Sequence, residues 1–139
     1  MGIFKKATND EKTNSNEIEI FGNRKLFIKK YYKNIVMFDF EELFFENLGV
    51  ADYQAICKNF DIIFLQNLIK LKPEDRNEAK RLILFIDEVY ESKKDLLILA
   101  EDKIEEIYKS GTGSEAFKRT ISRIKEITQK NWIIILFWL

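Results

Sequence analysis

A polar start is followed by the first regular alternation of apolar and polar residues. Residues 5–16 are almost all polar or charged and cannot bury a face, so residues 1–16 are predicted to form a flexible lead-in. From Glu17 onward, apolar residues alternate with polar ones in EIEIFGNRKLFIKK, and Gly22-Asn23 between the two runs is a natural tight turn. The pattern predicts a β-hairpin at the start of the fold.

The next segments switch between strand and helix patterns. IVMFDF predicts a strand, and EELFFENLG predicts a short helix with an acidic start and Gly49 as its stop. Apolar residues at helical spacing then predict a helix over residues 51–60, in which Asp52 is interpreted as a helix-start carboxylate, Tyr53 as a core aromatic and Cys57 as a core thiol. DIIFLQNL is typical of a buried parallel strand.

The longest predicted helix follows Pro73, which would lie in its first turn. Apolar residues recur at helical spacing from Ala79 to Tyr90, and the helix should end near Lys93. DLLILA is a second buried strand, and the connection to it through one helix is long enough for a parallel crossover. These elements predict an α/β core.

Two further helices complete the predicted elements. DKIEEIYKSG gives a short helix stopped by Gly111, and Thr112 and Glu115 have capping-box spacing ahead of a final amphipathic helix. The predicted fold class is therefore α/β, with a short parallel sheet, an N-terminal β-hairpin and flanking helices.

Composition restricts the available chemistry. Twenty-three basic residues balance 23 acidic ones, so no nucleic-acid partner is expected. The absence of histidine and the single cysteine argue against zinc sites and catalytic triads, and no metal site is expected. Eight consecutive apolar residues near the end are too few to span a bilayer, which takes roughly twenty, so no transmembrane segment is expected. The expected location is cytoplasmic, with membrane association left open.

One stretch, RLILFIDEVY, resembles a Walker B strand that ends in a magnesium-binding carboxylate and a catalytic one, here Asp87 and Glu88. Helical spacing continues through it without a break, which favours a helix. The five glycines offer no P-loop, and SGTGS is interpreted as a helix-to-helix turn. The chain alone is therefore expected not to hydrolyse ATP.

Three stretches resemble the C-terminal part of AFG-one-like ATPases, the P-loop family that includes bacterial cell division protein ZapE. They are EIEIFGNRKLFIKK with the following IVMFDFEELFFENLGVADYQAICKNF, LKPEDRNEAKRLILFIDEVYESKKDLLILA, and FKRTISRIKEI. The resemblance covers residues 17–127. It implies the C-terminal portion of an AAA-like P-loop NTPase fold that lacks the Walker A and Walker B half.

The resemblance also implies a function. Full-length members bind and hydrolyse ATP with magnesium, and this activity is coupled to cell division or to quality control of membrane proteins. No cofactor is expected for this chain alone. The implied partners are the P-loop-bearing half or neighbouring subunits of an ATPase ring, and also the tubulin-like division protein.

The family's arginine motif falls on Arg119 and Arg123, which the resemblance makes candidates for an arginine finger or a sensor of the γ-phosphate. Four residues apart on a helix, they should share one side and point outward. Spacing alone offers an alternative, a surface ladder with Glu115 and Glu126. Asp87 and Glu88 remain candidate polar contacts of the long helix, including contacts to the arginine helix.

The resemblance stops before residues 128–139, an atypical apolar tail that contains NWIIILFWL. The tail could be a final strand or helix buried against the sheet, or the product of an altered reading frame, which its divergence favours. Three functions stay open: a domain that lends arginines to a P-loop partner, a non-catalytic protein-interaction module, and a remnant of a split gene.

Overall fold

In the computed structural model, which describes residues 14–128, the chain forms a five-stranded sheet and three α-helices. The strands are β1 (Asn14–Ile20), β2 (Arg24–Tyr32), β3 (Ile35–Asp39), β4 (Ile62–Leu68) and β5 (Asp95–Ala100). The helices are α1 (Val50–Asn59), α2 (Arg76–Glu91) and α3 (Ser114–Thr128), with a π-helical turn at Glu41–Phe45 and a 3-10 turn at Ile104–Glu106. Within residues 14–128 no helix is long and apolar enough to cross a membrane.

The strands lie in the sheet in chain order. β1, β2 and β3 pair antiparallel, whereas β3, β4 and β5 pair parallel, with Met37, Phe64 and Leu97 opposite one another. Each parallel connection passes through helical structure, α1 in the first and α2 in the second, as parallel pairing requires. The predicted α/β class, the β-hairpin and the short parallel sheet are confirmed.

The three helices cover one face of the sheet. Val36, Phe38, Ile63 and Leu65 point into this main core, where they meet the apolar sides of all three helices. At its centre the Tyr53 hydroxyl donates a hydrogen bond to a π-turn carbonyl at 2.7 Å, and its ring packs against two phenylalanine rings. The core-aromatic prediction for Tyr53 is confirmed.

Two predicted helix boundaries are wrong. Gly49 does not stop the preceding helix, which is only the π-helical turn; it precedes α1, and its N–H donates to the Asp52 carboxylate at 2.8 Å. Pro73 lies outside α2, because Asp75 and Lys72 exchange hydrogen bonds of 2.9 Å and close a turn before the helix begins at Arg76. Local capping and turn hydrogen bonds therefore set these boundaries.

The segment before α3 also differs from expectation. The short helix in DKIEEIYKSG is reduced to one 3-10 turn, and the N-cap position of α3 falls on Gly113, so the predicted capping box does not form. Instead the Thr112 carbonyl accepts a hydrogen bond from the Tyr108 hydroxyl at 2.6 Å, and Glu115 pairs with Lys118 at 3.2 Å.

The first strand begins at Asn14, within the predicted lead-in, and the tail beyond Thr128 lies outside the described residues.

Candidate arginine site between helices α2 and α3

The Walker B-like stretch lies entirely within α2, so the helix prediction is confirmed. Its apolar side chains, Leu82, Phe85, Ile86 and Val89, are buried in the main core. Asp87 points instead from the flank of α2 toward α3, where it meets the arginine motif. A carboxylate in this position contacts a neighbouring helix and does not end a strand as a Walker B aspartate does.

Arg123 is held firmly against α2. One guanidinium nitrogen donates to the Asp87 carboxylate at 2.6 Å, and another lies 3.8 Å from Glu91. The guanidinium carbon also lies 4.5 Å from the centre of the Tyr90 ring. A charge-assisted hydrogen bond and a cation–π contact on a side chain that is only 22% exposed fasten α3 to α2.

Arg119 has a different environment. Its side chain is 63% exposed, and its guanidinium is 3.6 Å from Asp87, beyond hydrogen-bond distance. Such an exposed pair contributes little to stability. Arg119 is therefore the accessible guanidinium of the motif.

The outward orientation predicted for both arginines is confirmed for Arg119 and wrong for Arg123. The reason is that α2 lies beside α3 and covers the next turn of the motif, which spacing within one helix cannot reveal. The predicted glutamate ladder does not form, since Glu115 pairs with Lys118 and Glu126 contacts Tyr90.

Tyr90 extends the contact between the helices by one turn. The Glu126 carboxylate lies close to its hydroxyl, and the interaction with this carboxylate raises the pKa of Tyr90. Asp87 of α2 lies near Arg119 of α3, and Tyr90, later in α2, lies near Glu126, later in α3. The two helices therefore run in the same direction. Sequence reasoning did not predict Tyr90 and Glu91 as partners of the arginines. The only signal was that they follow Asp87 by three and four residues, a spacing similar to the four residues between the two arginines of α3.

Thr120 and Ser122 stand between the arginines but face elsewhere. Thr120 is buried, and its hydroxyl is a buried polar atom without a hydrogen-bond partner among the described residues. Ser122 donates back to the Lys118 carbonyl at 3.4 Å. The motif thus divides its side chains between the core, solvent and α2.

A second polar cluster lies at the carboxyl ends of β3 and β4, where parallel sheets commonly bind ligands. The Asp39 carboxylate accepts hydrogen bonds from the Gln66 and Asn67 side-chain amides, the latter at 3.0 Å. Both amides donate to the same carboxylate oxygen, Oδ1. Within residues 14–128, no group of three or more histidine, cysteine or acidic side chains is placed to hold a metal ion.

Comparisons with known proteins identify relatives. The AFG1-like ATPase family profile matches residues 1–134, which extends beyond residues 17–127 on both sides. The chain is 28% identical to Uncharacterized protein C115.02c of Schizosaccharomyces pombe, over 89% of this chain and 34% of that protein. It is 27% identical to Lactation elevated protein 1 homolog B of Danio rerio, over 68% of this chain and 25% of the relative.

Cell division protein ZapE of Escherichia coli is 29% identical over 59% of this chain and 22% of its own length. The chain thus spans about a third or less of the length of these relatives. No solved structure matches. Since the family profile covers nearly the whole sequence, and the fold carries the arginine-bearing helix on a mixed sheet, the chain belongs to the AFG1-like ATPase family.

Proposed function

We propose that this chain is the C-terminal part of an AFG1-like ATPase and that α3 presents Arg119 to the γ-phosphate of ATP bound by a P-loop outside these 139 residues. The supporting observation is the 63% exposure of Arg119 beside an Arg123 that is already held by α2. A guanidinium keeps its charge and offers a planar set of donors, which suits a phosphoryl group whose negative charge must be stabilised during transfer.

Arg123 has a positioning role in this proposal. Its hydrogen bond to Asp87 and its contact with Tyr90 fix the rotation of α3, and this rotation aims Arg119 away from the core. If Arg123 were to contact phosphate itself, it would first have to give up both partners. We therefore assign phosphate contact to Arg119 and orientation to Arg123.

ATP and magnesium are assigned to the P-loop-bearing part. The printed sequence contains no P-loop, and Asp87, its Walker B-like carboxylate, is occupied by arginine. A competent phosphoryl-transfer site needs backbone amides and a lysine around the phosphates. The partner is thus a P-loop-bearing polypeptide, a neighbouring subunit of a ring, or a preceding part of a longer chain.

The test is ATP turnover by this chain, by the P-loop-bearing part of an AFG1-like ATPase, and by the two mixed. We expect turnover in the mixture to exceed the sum of the parts, and Arg119→Ala to remove that gain without weakening association. Lys118→Ala is the matched control, because Lys118 is the adjacent exposed cation and pairs only locally, with Glu115. Equal turnover in the mixture and in the separate parts, although both are folded, would rule out the proposal.

A non-catalytic interaction module is the second candidate, and the tip of the β-hairpin favours it. Phe21 is 91% exposed there, and Phe27 on β2 is 54% exposed. Exposed apolar side chains mark an interaction surface when they form one patch, and the hairpin carries both phenylalanines. ZapE is named a cell division protein, so a tubulin-like division protein is a partner to try. Loss of its binding on Phe21→Ser, with turnover unaffected, would support this function.

A further inference from the structure

Exposed apolar side chains gather at one end of the described fold. Four large apolar side chains in the described part of the chain are exposed, and three of them are Phe21 at 91%, Phe45 at 45% and Val50 at 39%. Phe45 ends the π-helical turn that follows β3, and Val50 begins α1. Both therefore lie at the carboxyl end of β3, which is also the carboxyl end of the parallel strands β4 and β5.

The β-hairpin projects past the same end of the sheet. Lys30 of β2 lies opposite Met37 of β3. In an antiparallel pair this register sets residues 24–27 beyond Asp39, where β3 ends. The turn that joins β1 to β2 is thus the outermost part of the hairpin, and Phe21 is its first residue.

An ion pair holds the hairpin turn against the start of α1. Arg24 follows the turn, and its guanidinium donates at 3.1 Å to the carboxylate of Asp52 in the first turn of the helix. Phe21 lies three residues before Arg24, and Val50 lies two residues before Asp52. The side chains of Phe21, Phe45 and Val50 therefore belong to one region, which we call the end surface.

The opposite end of the parallel strands is closed by polar contacts. Asn34, Asp61 and Lys94 directly precede β3, β4 and β5, respectively. The Asp61 carboxylate accepts hydrogen bonds from the Asn34 amide at 3.1 Å and from the Lys94 ammonium at 2.8 Å. None of the exposed large apolar side chains in the described part of the chain lies at this end. Apolar contacts for a partner are thus offered at the end surface and not at the amino ends of the strands.

The charges around the end surface are of both signs. Arg24 and Lys25 follow the hairpin turn, whereas Glu41 begins and Glu46 follows the π-helical turn, and all four are exposed. An anionic membrane or a nucleic-acid strand would be repelled by the two carboxylates. Apolar side chains among charges of both signs are typical of a contact between two domains of a protein. The surface therefore favours a protein partner.

The lengths of the relatives indicate which partner this is. The chain spans 34%, 25% and 22% of the three relatives described above, so most of each relative lies outside the region that matches this chain. Apolar side chains that face such a remainder are uncovered in the matched region by itself. We propose that the P-loop-bearing part of an AFG1-like ATPase docks on the end surface. This inference rests on the proposed function, because it gives the same partner a place on the fold.

The end surface is separate from Arg119. The hairpin strand β1 and strand β5 are the two edges of the described sheet, roughly 19 Å apart, and α3 packs on β5. A substitution in the end surface should therefore weaken association without touching Arg119. A substitution of Arg119 should remove the gain in turnover without weakening association.

The test is calorimetric titration of this chain with the P-loop-bearing part, with the folding of each variant checked by circular dichroism. Phe21→Ser combined with Val50→Ser should raise the Kd about tenfold or more, because a few apolar contacts dominate the affinity of an interface. Phe27→Ser is the matched control and should leave the Kd unchanged. Phe27 is 54% exposed on the same hairpin, but it points to the other face of the sheet, since Leu26 and Ile28 pack on the main core.

The possible outcomes are distinct. An unchanged Kd in the double variant would overturn the inference, as would a larger loss in Phe27→Ser. Loss of a homodimer or of binding to anionic vesicles in the double variant, with an unchanged Kd for the P-loop-bearing part, would assign the surface to a second copy or a membrane and contradict the inference. If the folded parts do not associate at all, the inference and the proposed function both fail. If the double variant weakens association but Arg119→Ala leaves turnover unchanged, the proposed function alone fails.

Discussion

Asp87 on α2 accepts a hydrogen bond from Arg123 on α3 at 2.6 Å, while the same carboxylate lies 3.6 Å from Arg119. One carboxylate thus divides two arginines of a single motif into a held side chain and an accessible one. This asymmetry leads to separate expectations for stability and for activity.

The stability expectation concerns coupling across the two helices. In a double-mutant cycle, Asp87→Ala with Arg123→Ala should give a coupling energy of about 1–2 kcal/mol, because the bond is charge-assisted and largely shielded. Asp87→Ala with Arg119→Ala should give less than about 0.5 kcal/mol, since that pair is exposed and long. Urea denaturation measures both cycles. Equal coupling energies would show that the asymmetry has no energetic basis.

A second expectation concerns the hairpin. The buried Asp52 carboxylate accepts an Arg24 nitrogen at 3.1 Å as well as the N–H of Gly49, so it joins β2 to the start of α1. Asp52→Asn should lower the free energy of unfolding by about 2 kcal/mol, because the arginine loses its charged acceptor. Asp61→Asn is the control. The carboxylate of Asp61 pairs with Lys94 at the surface, so this substitution should lower the free energy of unfolding clearly less. Similar losses would contradict the assigned role of Asp52.

A matched pair of glycines tests the turn before α3. Gly111 has φ of +118°, and an added Cβ would lie 2.6 Å from the Tyr108 hydroxyl oxygen and 2.8 Å from the Cα of Pro73. Gly111→Ala should therefore cost about 2–4 kcal/mol. Gly113 has φ of +87° but open space around it, so Gly113→Ala should cost only about 1 kcal/mol of backbone strain. Thermal unfolding of both variants measures the difference, and a larger loss at Gly113 would contradict this view of the turn.

A pH dependence is expected from Cys57. Burial raises the pKa of its thiol from an ordinary 9.0 to about 11. The unfolded chain therefore loses the thiol proton at lower pH than the folded chain does. The stability that the neutral, buried thiol contributes is fully present below pH 9 and is lost as the pH rises to 11. Relative to Cys57→Ala, the wild type should lose roughly 1–2 kcal/mol of stability over this window. A constant difference between the two proteins across the window would refute the shift.

Much of the fold follows from sequence pattern, because that pattern is local. The hairpin, the buried strands β4 and β5, and α2 each follow from an apolar pattern over at least six residues, and in the Walker B-like stretch the helical period correctly outweighed the motif. The wrong boundaries, at Gly49 and Pro73, are places where the hydrogen bonds of one nearby carboxylate outweigh the usual preference of glycine or proline: Asp52 at the first and Asp75 at the second.

The candidate site was predictable only in part for the same reason. The motif located Arg119 and Arg123, and the distance between Asp87 and Arg123 in the sequence is 36 residues. Their contact depends on the crossover that sets α2 beside α3, which neither helix encodes alone. Tyr90 became visible as a partner only once that packing was known.

The measurement that tests the central claim most directly compares Arg119→Ala, Arg119→Lys and Arg123→Ala in the reconstituted ATPase, with kcat, association and thermal unfolding recorded for each. The account predicts that Arg119→Ala lowers kcat by about 10³-fold or more with unfolding unchanged, and that Arg119→Lys recovers part of that loss. Arg123→Ala should lower both kcat and the unfolding temperature. Wild-type kcat in Arg119→Ala, in a mixture that still associates, would contradict the account.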